Sequence, residues 1–175
     1  MAVLPDGTTT TTTTAPAARS VAGPRDIHIR RARIADVPAI IRLDEAVTGL
    51  AKPEYWADVF ERYGERRLHE RFFLVAETAT DEDGDAIVGL LIGEIRAWEF
   101  GSEPCGWIIA FSVDPKTRLR GVGTDLFLAI SAEFRSAGID TMRTMVARDN
   151  ALHMTFFRSE GMMAGPYLQL ETKID

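Results

Sequence analysis

The sequence is poor in cysteine, in histidine, in positive charge and in long apolar runs. Among its 175 residues there is one cysteine, Cys105. One thiol cannot close an internal disulfide, so the fold does not depend on an oxidising compartment. The three histidines, His28, His69 and His153, lack the spacing of metal ligands, so no metal site is expected. No window approaches the ~20 apolar residues of a membrane span. The N-terminus has no continuous apolar stretch, which argues against a secretory leader and for a cytoplasmic location. Twenty Lys and Arg face 26 Asp and Glu, a net charge of −6. Wholesale nucleic-acid binding needs a basic surface and is not expected; a local basic patch is still allowed.

The chain does have ordinary globular material, 46% hydrophobic. Its length predicts one domain with a core large enough to stand without staples. Residues 1–25 differ from the rest: a threonine run, Thr8 to Thr14, is followed by Ala, Pro and Gly. That composition cannot offset its ordering entropy and predicts a disordered tail. The alternative is a first strand that pairs with a partner.

Residues 26–175 read as one folded domain. "DIHIRRARI" alternates as a short strand. "ADVPAIIRLDEAVTG" has helical spacing, Asp36 as a cap, Pro38 in the first turn and Gly49 as the stop. "PEYWADVFERYGERRLHERF" reads as a second helix weakened by Gly64. "FFLVAET", "AIVGLLIGEIRAW" and "GWIIAFSV" read as strands, with the acidic turn "DEDGD" after the first. Gly89 and Gly93 suggest a bulge or a close backbone approach. Apolar residues at Val122, Leu126, Ile130, Phe134 and Ala137 then form a helix closed by Gly138. "DTMRTMVA" reads as a strand, "LHMTFFRSEGM" as a short helix and "GPYLQLETKI" as a final strand. The order β-α-α-β-β-β-α-β-α-β predicts a mixed α/β sheet with helices on both faces.

"RLRGVG", residues 118–123, joins a strand to a helix. The first N–H groups of a helix have no internal partner and lie at its positive end. Gly121 and Gly123 carry no Cβ, so an anion can approach the backbone. Lys116, Arg118 and Arg120 add positive charge. A Walker A loop would need Gly-Lys-Ser/Thr, but Thr124 and Asp125 follow Gly123. A dinucleotide fingerprint would need glycine where Leu126 stands.

The stretch resembles Arg/Gln-x-x-Gly-x-Gly/Ala, the pyrophosphate loop of the GNAT superfamily of acyl-CoA-dependent N-acyltransferases. The likeness extends to "FSVDPKTRLRGVGTDLFLAI", to "NALHMTFFRSEGM" and to the opening "DIHIRRARIADVPAIIRL", so it covers residues 26–175. It implies the GNAT fold, with the sheet splayed between its two central strands. It implies acetyl-CoA as cosubstrate and an acetyl transfer to a primary amine. By resemblance, the backbone of Arg118, Leu119, Arg120, Gly121, Val122, Gly123 and Thr124 holds the pyrophosphate. Phe111, Ser112 and Val113 line the pantetheine arm, Asn150 touches it, and Phe157 lines the thioester end. Arg158 reads equally as a phosphate contact or a solvated charge.

The chain departs from the family at Phe157, where many members carry a tyrosine that protonates the leaving thiolate. Tyr167 and His153 are the substitutes to consider. Loss of a general acid costs ~10²–10⁴ in rate. The base is assigned first to Glu94, in an apolar run where desolvation would raise its pKa; the alternative reading is a side chain that alternates outward into water. Glu99 is second and a water chain third. Cys105 reads as a small apolar residue rather than a nucleophile. The family's acceptor pocket lies between the first two helices and the loop after the long strand. Here those offer Tyr55, Trp56, Trp98 and Phe100 with Glu45, Glu54, Glu99 and Glu103, a setting for a cationic amine. Trp56 and Phe60 read better as core. The acceptor is expected to be a protein or peptide amine, lysine or N-terminal. The alternatives are a small-molecule amine, such as a polyamine or aminoglycoside, and a non-catalytic acyl-CoA-binding module. A homodimer is compatible with all three.

Overall fold

The computed structural model describes residues 27–78, 86–117 and 121–174. The tail expected over residues 1–25, the "DEDGD" turn, and Arg118, Leu119 and Arg120 lie outside them. Five strands form one mixed sheet in the spatial order of the chain. They are β1 (Ile27–Arg31), β2 (Arg71–Thr78), β3 (Ala86–Arg96), β4 (Cys105–Val113) and β5 (Met142–Thr144). The first four are antiparallel neighbours and β5 joins β4 in parallel.

β2 is apolar without interruption from Phe72 to Ala76 because both its faces are covered there. Phe72, Leu74 and Ala76 point to the side of α3 (Val122–Ser136), with Leu126, Ile130 and Phe134. Phe73 and Val75 point the other way, towards α1 (Val37–Thr48) and α2 (Pro53–Phe60), with Ile40, Trp56 and Phe60. α4 (Ala151–Ser159) adds Phe157 to the first of these cores. The helices therefore sit on both faces, as the pattern of the chain predicts.

Several expectations need correction. Residues 162–174 form no strand. Leu168, Leu170 and Ile174 alternate as a strand would, but all three are exposed. Alternation alone makes no strand without an edge to pair with. The helix led by Pro53 ends its regular part at Phe60 and continues as a π-helical turn, Glu61–Glu65. β5 is only three residues long. Asp36 precedes α1 but makes no side-chain cap. Its carboxylate instead accepts from both terminal nitrogens of Arg30, at 2.6 and 2.9 Å, and from the Arg33 N–H at 2.7 Å. The two charge-assisted contacts to Arg30 outcompete a neutral cap.

The bulge expected in the long strand pair is present. Gly89 pairs with Val113 and Ile92 with Ala110, but Gly93 pairs with Ile108. Ile109 is thus the extra residue of β4. The irregularity adds local twist and re-aims the strand.

Candidate active site

Where β4 leaves β5, the sheet opens. The two strands pair only from Gly106 to Ile108, opposite Met142 to Thr144. The Thr144 hydroxyl donates to the Ile108 carbonyl at 3.0 Å and closes the ladder. Beyond it, Ala110 to Val113 keep β3 as their ladder partner and are not paired with β5. Phe111, Ser112 and Val113 all lie on this opened stretch. A strand edge that has left β5 can present main-chain N–H and C=O groups to whatever enters the gap, which suits the amide-rich pantetheine arm.

The end of β4 leads into the glycine turn. Asp114 organises the entry: its carboxylate accepts from the Lys116 N–H at 2.8 Å and its carbonyl from the Thr117 N–H at 2.9 Å. Gly121 then takes a left-handed conformation, φ 80°, ψ 9°, immediately before α3. Its carbonyl accepts the Asp125 N–H at 3.0 Å. The amides of Val122, Gly123 and Thr124 belong to the first turn, where a helix directs its N–H groups outward. A diphosphate fits that end, by charge and by donor geometry. The Thr124 hydroxyl is already committed, donating to Glu160 at 2.7 Å, so Thr124 has its amide to offer.

An aromatic wall stands beneath the gap. Phe111 stacks on Phe156 with centroids 4.6 Å apart and planes 15° apart. Phe157 is 5% exposed and packs at 5.6 Å against Phe111. His153 lies 5.7 Å from the Phe111 ring and receives the side chain of Asn150. Asn150 caps α4, accepting the His153 N–H at 3.0 Å. Its placement is therefore explained by the helix as well as by any arm contact. Gly123 must be small here. A Cβ on it would lie 2.9 Å from Phe156 Cε2.

The candidate base lies further down β3. Glu94 pairs in register with Trp107, two residues before the Ile109 bulge, and with Arg71 of β2. Its carboxylate is mostly withdrawn from water and sits between two guanidiniums, with Arg96 Nε at 2.7 Å and Arg71 Nε at 3.6 Å. The reading of an outward, solvated side chain is thereby replaced. Tyr63, from the π-helical turn, approaches the same carboxylate. Burial, together with the charge of Glu94, raises the pKa of its hydroxyl. Glu94, Arg71 and Arg96 border a cleft of about 400 Å³ that also includes Glu99.

Glu99 stands in a short turn whose backbone is strained. Trp98 (φ 64°), Phe100 (φ 48°) and Gly101 (φ 73°) are all left-handed, and Trp98 and Phe100 are 71% and 100% exposed. Left-handed backbone costs an L-residue ~1–2 kcal/mol. Two bulky aromatics held there and turned to water are a mark of functional loops. Of the other acceptor-side candidates, Tyr55, Glu45, Glu54 and Glu103 are exposed. Trp56 is core, and its ring N–H donates to the buried Asp44 at 2.8 Å. Tyr167 lies over Arg143 at 4.6 Å, and Arg143 in turn reaches the Cys105 sulfur at 3.2 Å. That places Tyr167 beside the paired end of β4 and β5. Cys105 is buried.

Sequence reasoning missed Tyr63, Arg71, Arg96, Phe156 and Glu160. Only Phe156 carried a signal, as the neighbour of Phe157 in the resembling segment. The others come together through strand register and a helix irregularity that no local pattern announces.

The sequence matches the acetyltransferase (GNAT) family model over residues 37–162. The chain belongs to the GNAT acetyltransferase family. It is thus an acetyltransferase, with acetyl-CoA as cosubstrate. No curated protein matches the sequence. Solved structures share the GNAT fold at low identity. Aminoglycoside N-acetyltransferase AAC(6')-Iy in complex with CoA is 17% identical, with 86% of this chain and 96% of that chain covered and a TM-score of 0.72. An aminoglycoside acetyltransferase from an uncultured soil metagenomic sample, in complex with sisomicin, is 19% identical, with 86% and 97% covered and a TM-score of 0.64. A transcriptional regulator from Bacillus halodurans is 18% identical, with 85% and 99% covered and a TM-score of 0.67. Among the described residues of this GNAT protein, no helix is long and apolar enough to cross a membrane.

Proposed function

We propose that this GNAT protein moves the acetyl group of acetyl-CoA to the primary amine of a small molecule. The observation that carries the reading is the cleft of about 400 Å³ at Glu94, on the strand beside the opened edge of β4. That volume falls within the range of small-ligand sites. The small-molecule acceptors named for the aminoglycoside acetyltransferases of the same fold point the same way. The expectation of a polypeptide amine gives way on these two grounds.

In this reading the amides of Gly121 to Thr124 hold the diphosphate, together with Arg118, Leu119 and Arg120. Phe111, Ser112 and Val113 offer main-chain groups to the arm, and Asn150 and Phe157 border it. The acceptor nitrogen attacks the thioester carbon directly. A C–N bond forms, the C–S bond breaks and the thiol leaves. Glu94 takes the proton of the attacking amine, directly or through water, and Glu99 is the second carboxylate within reach of the cleft. An amine of pKa ~10.4 needs about 4.6 kcal/mol to lose its proton at pH 7, so a base matters. Phe157 donates no proton to the leaving sulfur. A thiol of pKa ~8.5 makes that departure tolerable near neutrality, with Tyr167 as the remaining hydroxyl candidate.

Thiol release from acetyl-CoA, measured with a panel of small amines, tests the reading. Turnover is expected with at least one, and Glu94→Gln is expected to lower kcat by ~10²–10⁴. Acetylation of polypeptide amines alone would overturn it. The absence of a hydroxyl at Phe157 favours one second reading, an acyl-CoA-binding module without turnover. CoA binding with no acetylated product on any amine would select it.

A further inference from the structure

The cleft beside Glu94 is lined by charges that cancel. Arg67, Arg71 and Arg96 face Glu70, Glu94 and Glu99. A site that gathers a polycation does so with an excess of carboxylates, because charges of one sign focus the field in a cleft. This cleft has no such excess.

Its two signs are also arranged unevenly. Glu94 is held between Arg71 and Arg96. The outer nitrogen of Arg96 meets Glu99 only at 4.0 Å, so it has donor capacity to spare. Arg67 stands at the rim. Its backbone is left-handed at φ 53°, a conformation a bulky residue rarely adopts. The kink is tied down, since the Arg67 carbonyl accepts the N–H groups of Glu70 and Arg71 at 2.8 and 2.9 Å. Its guanidinium pairs with Glu70 and stays more than half exposed. A guanidinium has five donors and one carboxylate uses at most two in a fork. Arg67 and Arg96 can therefore each take a second carboxylate, one that arrives with the acceptor.

The spacing sets the rest. Arg96 pairs with Cys105, four residues before the Ile109 bulge, which is about 13 Å of strand. The Arg96 side chain lies over Trp107, its guanidinium 4.9 Å from the ring centre, and spans part of that distance. An acceptor anchored by its carboxylate there must carry its reactive amine several bonds away.

We propose that the acceptor is a small zwitterionic amine, its carboxylate held by Arg67 and Arg96 and its amine directed along Trp107 to the opened edge of β4. A diamino acid or a dipeptide has this chemistry. The proposal rests on the small-molecule reading above.

Matched substrates test it on the full chain. Lysine and cadaverine share a terminal amine and differ by one carboxylate; ornithine and putrescine make a second pair. With acetyl-CoA, the carboxylated member of each pair is expected to show at least ~10-fold higher kcat/KM, and to exceed spermidine and kanamycin. Such a preference is the size a charge-assisted contact confers. Arg67→Gln is expected to shrink the ratio mainly through the KM of the carboxylated member, and Arg67→Lys to restore part of it. Equal or better turnover of cadaverine, spermidine or kanamycin would overturn the proposal and leave the small-molecule reading standing. A ratio unchanged in Arg67→Gln would do the same. Acetylation of polypeptides and of no free amine would remove both.

Discussion

Gly123→Ala probes the packing under the opened strand edge. The new Cβ would lie 2.9 Å from Phe156 Cε2, 3.1 Å from Phe111 Cζ and 3.3 Å from Phe156 Cζ. Non-bonded carbons rest about 3.5–4.0 Å apart, so the nearest overlap is about 0.6 Å or more. Phe156 has little room to yield. Phe111 stacks on one face, and Phe157 and Phe127 meet it edge-on at 5.2 and 6.3 Å. Overpacking of this kind costs ~1–3 kcal/mol. Alanine returns at most ~1 kcal/mol of helix propensity. The net expectation is a loss of about 1–2 kcal/mol in stability. The displaced Phe111 also disturbs the strand edge assigned to the pantetheine arm, and CoA affinity is expected to fall about tenfold, or ~1.4 kcal/mol. The decisive experiment is a cycle with Phe156→Leu, which withdraws the colliding ring edge. Urea unfolding and CoA calorimetry on the four proteins should show the double variant recovering most of the loss, a coupling beyond the additive range of ~0.5 kcal/mol. Parental stability in Gly123→Ala, or strictly additive effects, would refute the packing argument.

Asp36 gives the fold an acid-sensitive element. Burial pushes its carboxyl up, but the Arg30 contacts and the Arg33 N–H outweigh it and hold the pKa below the ordinary 3.8. A depressed folded pKa contributes stability that is full above the unfolded value and lost as pH falls through the folded one. Thermal melts between about pH 5 and pH 2 should show the parent's advantage over Asp36→Asn shrinking as acid is added. Trp56→Phe keeps the ring in the core and deletes the N–H that Asp44 accepts, leaving Lys52 at 2.8 Å as a remaining partner. The loss should be about 1.5–3 kcal/mol by urea unfolding, the range for a hydrogen bond to a charged group. Trp56→Phe at parental stability would show that the contact contributes nothing.

Much of the architecture was legible because its signals are local. "RLRGVG" sits between a strand and a helix, Gly93 lies at the bulge, and Val122, Leu126, Ile130 and Phe134 line one buried face. What stayed hidden depends on distance in the chain. Glu94 reads alone as a carboxylate in an apolar run; only register brings Arg71 beside it, 23 positions earlier in the sequence. Asp36 has the position of a cap, and only the fold shows Arg30 claiming it. "GPYLQLETKI" has the period of a strand, but period says nothing about an available edge. Tyr63 approaches Glu94 from the wider turn into which the helix loosens after Phe60, and Gly64 gave only a hint of weakness there.

The left-handed turn at Trp98 has a practical outcome. The chain has three tryptophans in three settings: Trp56 buried against Asp44, Trp107 beneath a guanidinium, and Trp98 in water. A collisional quencher such as iodide reaches an indole only where solvent does, so the quenchable part of the emission belongs chiefly to Trp98. Its loss or protection on adding an amine gives an optical titration of the neighbouring cleft with no label attached.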